Sequence, residues 1–276
     1  MKKLSLLVIV ILTVFSCSNK KKTAYLNYLK GVSKSKLKDH NGAIADYTKA
    51  IELNPNNATA YSNRGFEKKV LKDYDGAIVD FTEAIALAPK FMEAYYMRGS
   101  SKARLKDYNG AIADYNKAIE LNPNYSMAYS NRAAVKFKLE DYGGAIVDFT
   151  KTIALEPNDD VYYYRGKSKR NLKDYDGAIA DFTKAIALAP NHIKAYYNRG
   201  NIKFKLKNYD GAIADFTKAI ALAPTDTPPS DLSGVYYYIG TSKFYLGDTN
   251  GACSDWKKSA KLGDEFAAKL VKNKCI

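Results

Sequence analysis

One short pattern recurs along this chain at an almost constant interval, and this repetition limits the possible folds more than any other feature. Residues 74–81 (YDGAIVDF) return in close copies at 108–115, 142–149, 175–182 and 209–216, and in weaker copies at 40–47 and 249–256. Each copy holds one central alanine, and these fall at Ala43, Ala77, Ala111, Ala145, Ala178, Ala212 and Ala252. The intervals are 34, 34, 34, 33, 34 and 40 residues. Self-similarity at a fixed period of this size indicates an array of stacked units.

Each unit contains two stretches with helical apolar periodicity. In the second unit they are separated at 73–76 (DYDG), a polar segment that interrupts the pattern. A proline ends the second stretch in six units: Pro55, Pro89, Pro123, Pro157, Pro190 and Pro224. One helix pair cannot bury its own apolar stripe, so neighbouring pairs must stack. The sequence therefore predicts an all-α protein, an α–α superhelical solenoid.

Two further columns identify the kind of repeat. Counted from the first residue of each unit, the fourth position is aromatic in Tyr61, Tyr95, Tyr129, Tyr162, Tyr196 and Tyr236. The eighth position is glycine in six units and Ala133 in the other. This pattern resembles the tetratricopeptide repeat family over about residues 24–264. The resemblance implies seven repeats at 24–57, 58–91, 92–125, 126–158, 159–192, 193–226 and 233–263. An inserted loop is expected at 227–232, and a capping helix and tail at 264–276.

The N-terminus is predicted to be a targeting segment. A basic start precedes twelve apolar residues at 4–15, too few for a spanning helix, which needs about 20. Val14, Ser16 and Cys17 resemble the lipobox of bacterial lipoproteins. Residues 1–16 are therefore expected to be a signal peptide, and 17–23 a lipidated Cys17 with a basic linker. The alternative is an ordinary secretory peptide with a coincidental cysteine. Either way the protein is exported; lipidation would anchor it in the bacterial cell envelope, facing the periplasm or the exterior.

Charged residues form recurring columns. Position 7 is basic in six units, position 11 is lysine in all seven, and position 23 is aspartate in all seven. Arg64, Lys68 and Asp80 represent the three columns in the second unit. One interpretation is a basic column that binds a ligand, and the other is an Arg–Asp ladder between helices. Because the acid recurs wherever the bases do, the ladder is favoured.

Variable positions of the first helices predict a ligand groove, because family geometry places them on the concave face. They are rich in aromatic and basic side chains, which suit an extended peptide or an anionic chain. Packing alone is the alternative explanation for the tyrosines. The predicted groove residues are Tyr28, Phe66, Tyr96, Arg104, Phe137, Lys138, Tyr163, Lys167, Arg170, Tyr197, Phe204, Tyr237 and Phe244.

The composition argues against catalysis. Two histidines and three cysteines leave no usual zinc ligand set, and no glycine-rich phosphate loop follows a strand. We expect neither a cofactor nor a metal. The net charge of +14 is spread over the repeats, and an exported protein would not meet nucleic acid. The leading hypothesis is a non-enzymatic protein-interaction scaffold tethered to the membrane. A binder of anionic glycan or cell-wall polymer and a structural spacer are the alternatives.

Cys253 and Cys275 are predicted to form a disulfide. With Cys17 lipidated they are the remaining thiols, and an exported protein lies where disulfides persist. Helix rise places both at nearly the same level if the terminal helix runs antiparallel to its neighbour. The alternative is one buried cysteine and one free thiol near the C-terminus.

Overall fold

The computed structural model describes residues 2–224 and 226–275, without the side chains of residues 2–18 and 229. The side chains of the expected signal peptide at 1–16 and of Cys17, the expected site of lipidation, lie outside the described part of the structure. Fifteen α-helices account for nearly all of the described chain, and no strand occurs within it. They are α1 Lys2–Lys36, α2 His40–Leu53, α3 Ala58–Val70, α4 Tyr74–Leu87, α5 Met92–Arg104, α6 Tyr108–Leu121, α7 Ser126–Lys138, α8 Tyr142–Leu155, α9 Asp159–Asn171, α10 Tyr175–Leu188, α11 Ile193–Lys205, α12 Tyr209–Leu222, α13 Pro229–Tyr245, α14 Thr249–Lys261 and α15 Glu265–Lys274.

The chain divides into two compact units, Met1–Val135 and Lys136–Ile276. In the first unit α1 to α6 pack in the order of the sequence, and in the second α8 to α15 do the same. First helices also contact the first helix of the next repeat, as α3 does with α5 and α9 with α11. Each unit is therefore a stack of helix pairs, the all-α solenoid expected from the period.

The turn inside each repeat is built by three consecutive features. The residue before the cap has a positive φ of 61–66° in six repeats, and the seventh repeat places Gly247 there. An Asp or Asn side chain then caps the second helix by accepting a hydrogen bond from a glycine N–H three residues later, as Asp73 does from Gly76. A Cβ on Gly76 would lie 2.2 Å from the Asp73 carboxylate. A side chain at this position would therefore make the carboxylate shift from its present capping position.

The two helices of a repeat approach closely at the glycine of position 8. A Cβ added to Gly65 would lie 3.1 Å from both Asp80 Cβ and Phe81 Cε1, and one added to Gly166 would lie 2.9 Å from Phe182. The large aromatic ring of the second helix therefore packs directly on the backbone of the first. Rings such as Phe81 and Phe182 are fully buried and centre the core of each repeat.

The expected inserted loop at 227–232 is partly wrong. Helix α13 begins at Pro229, so the second half of the insertion lengthens this helix to 17 residues, against 13 for α11. Proline suits the first turn of a helix, because the backbone N–H that it lacks has no partner there. The insertion therefore provides about one additional helical turn as well as a connection.

The C-terminal helix covers the end of the second unit. Ala267 on α15 is fully buried against Ala252 and Trp256 of α14, with Leu270 and Val271 packed around them. Cys253 and Cys275 form a disulfide with Cα atoms 5.6 Å apart. The bridge joins α14 to the C-cap residue of α15 and holds the end of this helix against α14.

Among the residues whose side chains the structure describes, no helix is long and apolar enough to cross a bilayer.

Candidate functional site

The charged columns of the first and second helices form a ladder inside each repeat. In the second repeat, Asp80 accepts hydrogen bonds from Arg64 Nη2 at 2.6 Å and Arg64 Nε at 2.9 Å. Lys68 Nζ lies 2.8 Å from the same carboxylate. Arg64 also lies over the ring of Tyr61 and donates to Thr48 Oγ1 of the preceding repeat at 3.1 Å. The arginine therefore links two helices and two repeats at once.

The same ladder recurs along both units, which confirms the structural interpretation of these columns. Bidentate pairs join Arg98 to Asp114, Arg165 to Asp181 and Arg199 to Asp215. Lysines of position 11 approach the same aspartates to within 2.9 Å in all seven repeats. The acids are buried, so these charges serve the architecture and are not offered to a ligand.

The tyrosines of position 5 are mainly packing residues. Tyr163 is only 6% exposed and lies in the core cluster around Phe182, so its place on the predicted ligand surface is wrong. The reason is the small residue Gly166, which lets the Phe182 ring reach under Tyr163. Burial raises the pKa of the Tyr163 hydroxyl. The adjacent Tyr164 is 43% exposed, so it is the accessible tyrosine of this pair.

A hydrogen bond between repeats holds these tyrosines in place. The hydroxyls of Tyr28, Tyr96 and Tyr163 accept from the side-chain amides of Asn63, Asn131 and Asn198, each 35 residues further along the chain. Tyr197 packs on Phe216, and Tyr237 and Phe244 lie against the cluster around Trp256. Sequence reasoning missed the Tyr–Asn pairing. Its signal was the tripeptide YSN at 61–63 and again at 129–131.

Other predicted groove residues remain accessible. Phe66 is 40% exposed, and Arg104 and Lys138 are exposed on the last turns of α5 and α7. Lys167 Nζ lies over the Phe137 ring at 5.1 Å, and Arg170 Nη1 donates to Asn198 Oδ1 at 2.5 Å. Burial lowers the pKa of Lys167, and Arg170 and Lys194 add to this effect. The accessible surface is thus cationic and aromatic.

Two cavities open between consecutive first helices on this surface. One of 210 Å³ in the first unit is lined by Phe66, Lys69, Val70, Tyr74, Ser100 and Arg104. Another of 470 Å³ in the second unit is lined by Arg170, Tyr175, Asn201, Ile202, Phe204, Lys205 and Tyr238. Each combines two cations with aromatic rings and a neutral hydrogen-bonding side chain. Of the thirteen predicted groove residues, these cavities bring together Phe66 with Arg104, and Arg170 with Phe204.

A third cavity, of 620 Å³, was not expected from the sequence. It lies between α11, α12 and α13, and the residues before α13 form one wall. Its lining is mainly apolar, with Ile193, Tyr197, Ile220, Leu232 and Val235 among the contributors. The 40-residue interval indicated the insertion, but only the folded positions of α12 and α13 show that it encloses space.

Comparison with known families agrees with this geometry. One family model described as tetratricopeptide repeat matches residues 93–125, 160–192 and 193–226, and a second matches 114–147. A model described as TPR repeat matches residues 36–69. Together they span more than half of the chain. It is a tetratricopeptide-repeat protein. Proteins built from these repeats typically act as scaffolds for protein interactions and generally have no enzymatic activity.

Solved structures of tetratricopeptide-repeat proteins resemble this chain. A MamA protein is 26% identical with a TM-score of 0.59, over 63% of this chain and 95% of that one. A repeat protein from Cytophaga hutchinsonii is 19% identical with a TM-score of 0.77, over 88% and 98%. YrrB, a protein with an unusual peptide-binding site, is 22% identical with a TM-score of 0.61, over 70% and 97%. Among curated proteins, none matches the sequence.

The two histidines of this repeat protein have structural partners. His40 Nδ1 lies 2.6 Å from Glu67 Oε2, and Ser35 Oγ donates to Glu67 Oε1 at 2.5 Å. His192 caps α11 by accepting the Ala195 N–H at Nδ1. In the neutral ring Nε2 then carries the proton and faces Asp160 at 4.0 Å.

One ligand atom each of Asp159, Asp160 and His192 lies within 4.8 Å of the others. However, the positive ends of α9 and α11 meet at this point, and they favour anions. A metal would also need the lone pair on Nε2, which the capping tautomer does not provide. The cluster is therefore best explained as two helix N-termini with their acidic and capping residues.

Proposed function

We propose that this protein is a non-enzymatic scaffold that binds an extended peptide segment of a partner protein along its first helices. The observation that carries the proposal is the difference between the two kinds of cation. Those of positions 7 and 11 contact buried aspartates, whereas Lys69, Arg104, Arg170 and Lys205 line open cavities beside aromatic rings.

An extended peptide suits this surface for two reasons. Each unit has a cavity between two consecutive first helices, and each cavity is open to a side chain of an extended segment. Aromatic and arginine side chains are also enriched in protein interfaces and carry much of their binding energy. The YrrB structure is described as holding a peptide-binding site, and the likeness to this chain is one of fold.

The proposal includes a tether at the N-terminus. Val14, Ser16 and Cys17 support lipidation, and the resulting mature protein would begin at Cys17 on the outer side of a bacterial membrane. Attachment through more than one acyl chain is stable, whereas a single chain gives only marginal binding. The repeats would then capture a partner within the cell envelope.

Site-specific photocrosslinking in cells tests the binding face. A photoreactive phenylalanine analogue replaces Phe66 on α3, and a matched variant carries it at Val79 on α4, which is 61% exposed. We expect a discrete crosslinked protein from position 66 and none from position 79. Equal crosslinking from both positions would refute the assignment of the binding face. Crosslinks from position 66 to cell-wall glycan, without a crosslinked protein, would favour the polysaccharide alternative.

A further inference from the structure

The two cationic cavities occupy equivalent places in the repeat. Each takes position 12 and position 17 from one repeat and positions 9 and 13 from the next. In the first unit these are Lys69, Tyr74, Ser100 and Arg104, and in the second Arg170, Tyr175, Asn201 and Lys205. Both therefore present a cation, a phenol, a neutral hydrogen-bonding side chain and a second cation in the same order. We call these sets socket 1 and socket 2.

The corresponding place between the first and second repeats is already occupied by a carboxylate of the chain itself. Positions 12 and 17 are there Ser35 and His40, and both contact the carboxylate of Glu67 at 2.5 and 2.6 Å. Glu67 comes from position 10 of the next first helix and is only 1% exposed. Position 10 is Ser101 at socket 1 and Ile202 at socket 2, neither of which supplies an acid. At the first junction the residues of positions 12 and 17 therefore contact a carboxylate, which is the chemical group we compare with the sockets.

The socket cations have no acid of their own. Among the described residues none of the four lies within 4.0 Å of a carboxylate oxygen, although Lys68 and Lys102 beside socket 1 are both paired. Lys69 Nζ instead approaches the thioether of Met97 at 3.6 Å, and Lys205 lies over the Tyr175 ring at 4.9 Å. Burial lowers the pKa of Lys69, and the nearby positive Arg104 lowers it further. A bound anion would relieve this repulsion and supply the missing charge-assisted hydrogen bonds.

We infer that sockets 1 and 2 bind carboxylate groups, and that the partner is an acidic peptide whose Asp or Glu side chains enter them. This inference rests on the proposed function and adds the chemistry of the partner. The donors suit the task, because Arg offers a planar fork to a carboxylate and Lys, Tyr, Ser and Asn can each donate one further hydrogen bond. Socket 1 lies within the first compact unit and socket 2 within the second, so each is a separate carboxylate site in this proposal.

Calorimetric titration of the purified protein with hexaglutamate tests the inference, with hexaglutamine as the neutral peptide. Lys69→Gln with Arg104→Gln empties socket 1, and Arg170→Gln with Lys205→Gln empties socket 2. Matched controls are Lys49→Gln with Lys90→Gln and Lys184→Gln with Lys218→Gln, exposed pairs that remove the same charge. Unchanged thermal melting by circular dichroism shows that each variant is folded.

We expect two hexaglutamate molecules per wild-type chain, one in each single-socket variant, and binding weakened about tenfold or more when both sockets are changed. The combined control should bind two molecules with less than about threefold loss. Equal losses in control and socket variants would mean that overall charge explains the binding, and would overturn the inference. Stronger binding of polygalacturonate or inorganic phosphate than of hexaglutamate at the sockets would also overturn it.

Selection from a random peptide library separates this inference from the proposed function. Bound peptides enriched in Asp and Glu, with the enrichment lost in the socket variants, would support both. Bound peptides without acidic enrichment would overturn the sockets but leave the scaffold intact. If the wild-type protein selects no peptide, the scaffold itself is refuted.

Discussion

The Arg–Asp ladder predicts a large loss of stability when its acid is changed to the isosteric amide. Asp80 is 1% exposed, and its two oxygens receive three contacts from Arg64 and Lys68. Asp80→Asn keeps the shape but turns an amide group towards the two cations. Breaking a buried ion pair by changing one partner costs about 3–5 kcal/mol. We expect about 3 kcal/mol, the lower end, because Arg64 and Lys68 keep 16% and 21% exposure of their side chains.

Arg64→Met should cost less than Asp80→Asn, because Asp80 then still contacts Lys68 at 2.8 Å. Glu83→Gln is the control, since Glu83 is exposed on the same helix and such changes usually stay within about 0.5 kcal/mol. Repeat arrays unfold in parts, so native-state hydrogen exchange of the α3 and α4 amides is the suitable measurement. The ladder account is refuted if Asp80→Asn behaves like Glu83→Gln, or if Arg64→Met is the more damaging change.

Three further predictions concern the ends and the core. Cys253→Ser removes the disulfide that closes a loop of 22 residues. In the chain-entropy model this should lower the free energy of unfolding of the terminal helix by about 3 kcal/mol. Equal hydrogen exchange of the α15 amides with and without the bridge would contradict this. Burial raises the pKa of Tyr47 to about 12, so the stability it contributes is complete below about pH 10 and is lost between pH 10 and 12, where unfolded tyrosine ionises first. The urea midpoint should therefore fall as the pH rises through this window, and a midpoint that stays constant across it would contradict the prediction. Cys17→Ser should move the protein from the membrane to the soluble fraction, and wild-type protein that takes up no labelled palmitate would exclude lipidation.

Local signals in the sequence sufficed for the architecture. The interval between repeats, the capping Asp–Gly pair in each turn and the glycine at position 8 all act over a few residues or within one helix pair. The ladder could also be predicted, because its acid and the lysine of position 11 recur together in every repeat, with a basic residue at position 7 in six of them. Such features are repeated up to seven times, so each copy reinforces the interpretation of the others.

The binding face was less predictable, because neighbouring residues on one helix differ in burial for reasons that lie elsewhere in the chain. Tyr163 is buried and Tyr164 is exposed, although both are tyrosines on α9. The difference depends on Phe182 and on Asn198, which is 35 residues away.

The sockets were missed for a related reason. Each combines residues from two repeats. The carboxylate-binding role of Lys69 and Arg170 is inferred by comparison with the equivalent place at the first junction, where Glu67 lies. Similarly, the 40-residue interval indicates the length of the insertion, but not that part of it adds a helical turn to α13. Contacts between repeats, unlike those within them, leave only a weak trace in a single sequence.

The central claim is that a partner peptide lies along the first helices of the repeats. The most direct measurement is photoaffinity labelling of the purified protein by a library-selected peptide carrying one photoreactive residue, with the labelled positions identified by mass spectrometry. The account predicts labels on α3, α5, α9 and α11, around the two sockets and the exposed ring of Phe66. Labels confined to the exposed faces of the second helices, such as Val79 on α4 and Val147 on α8, would contradict it.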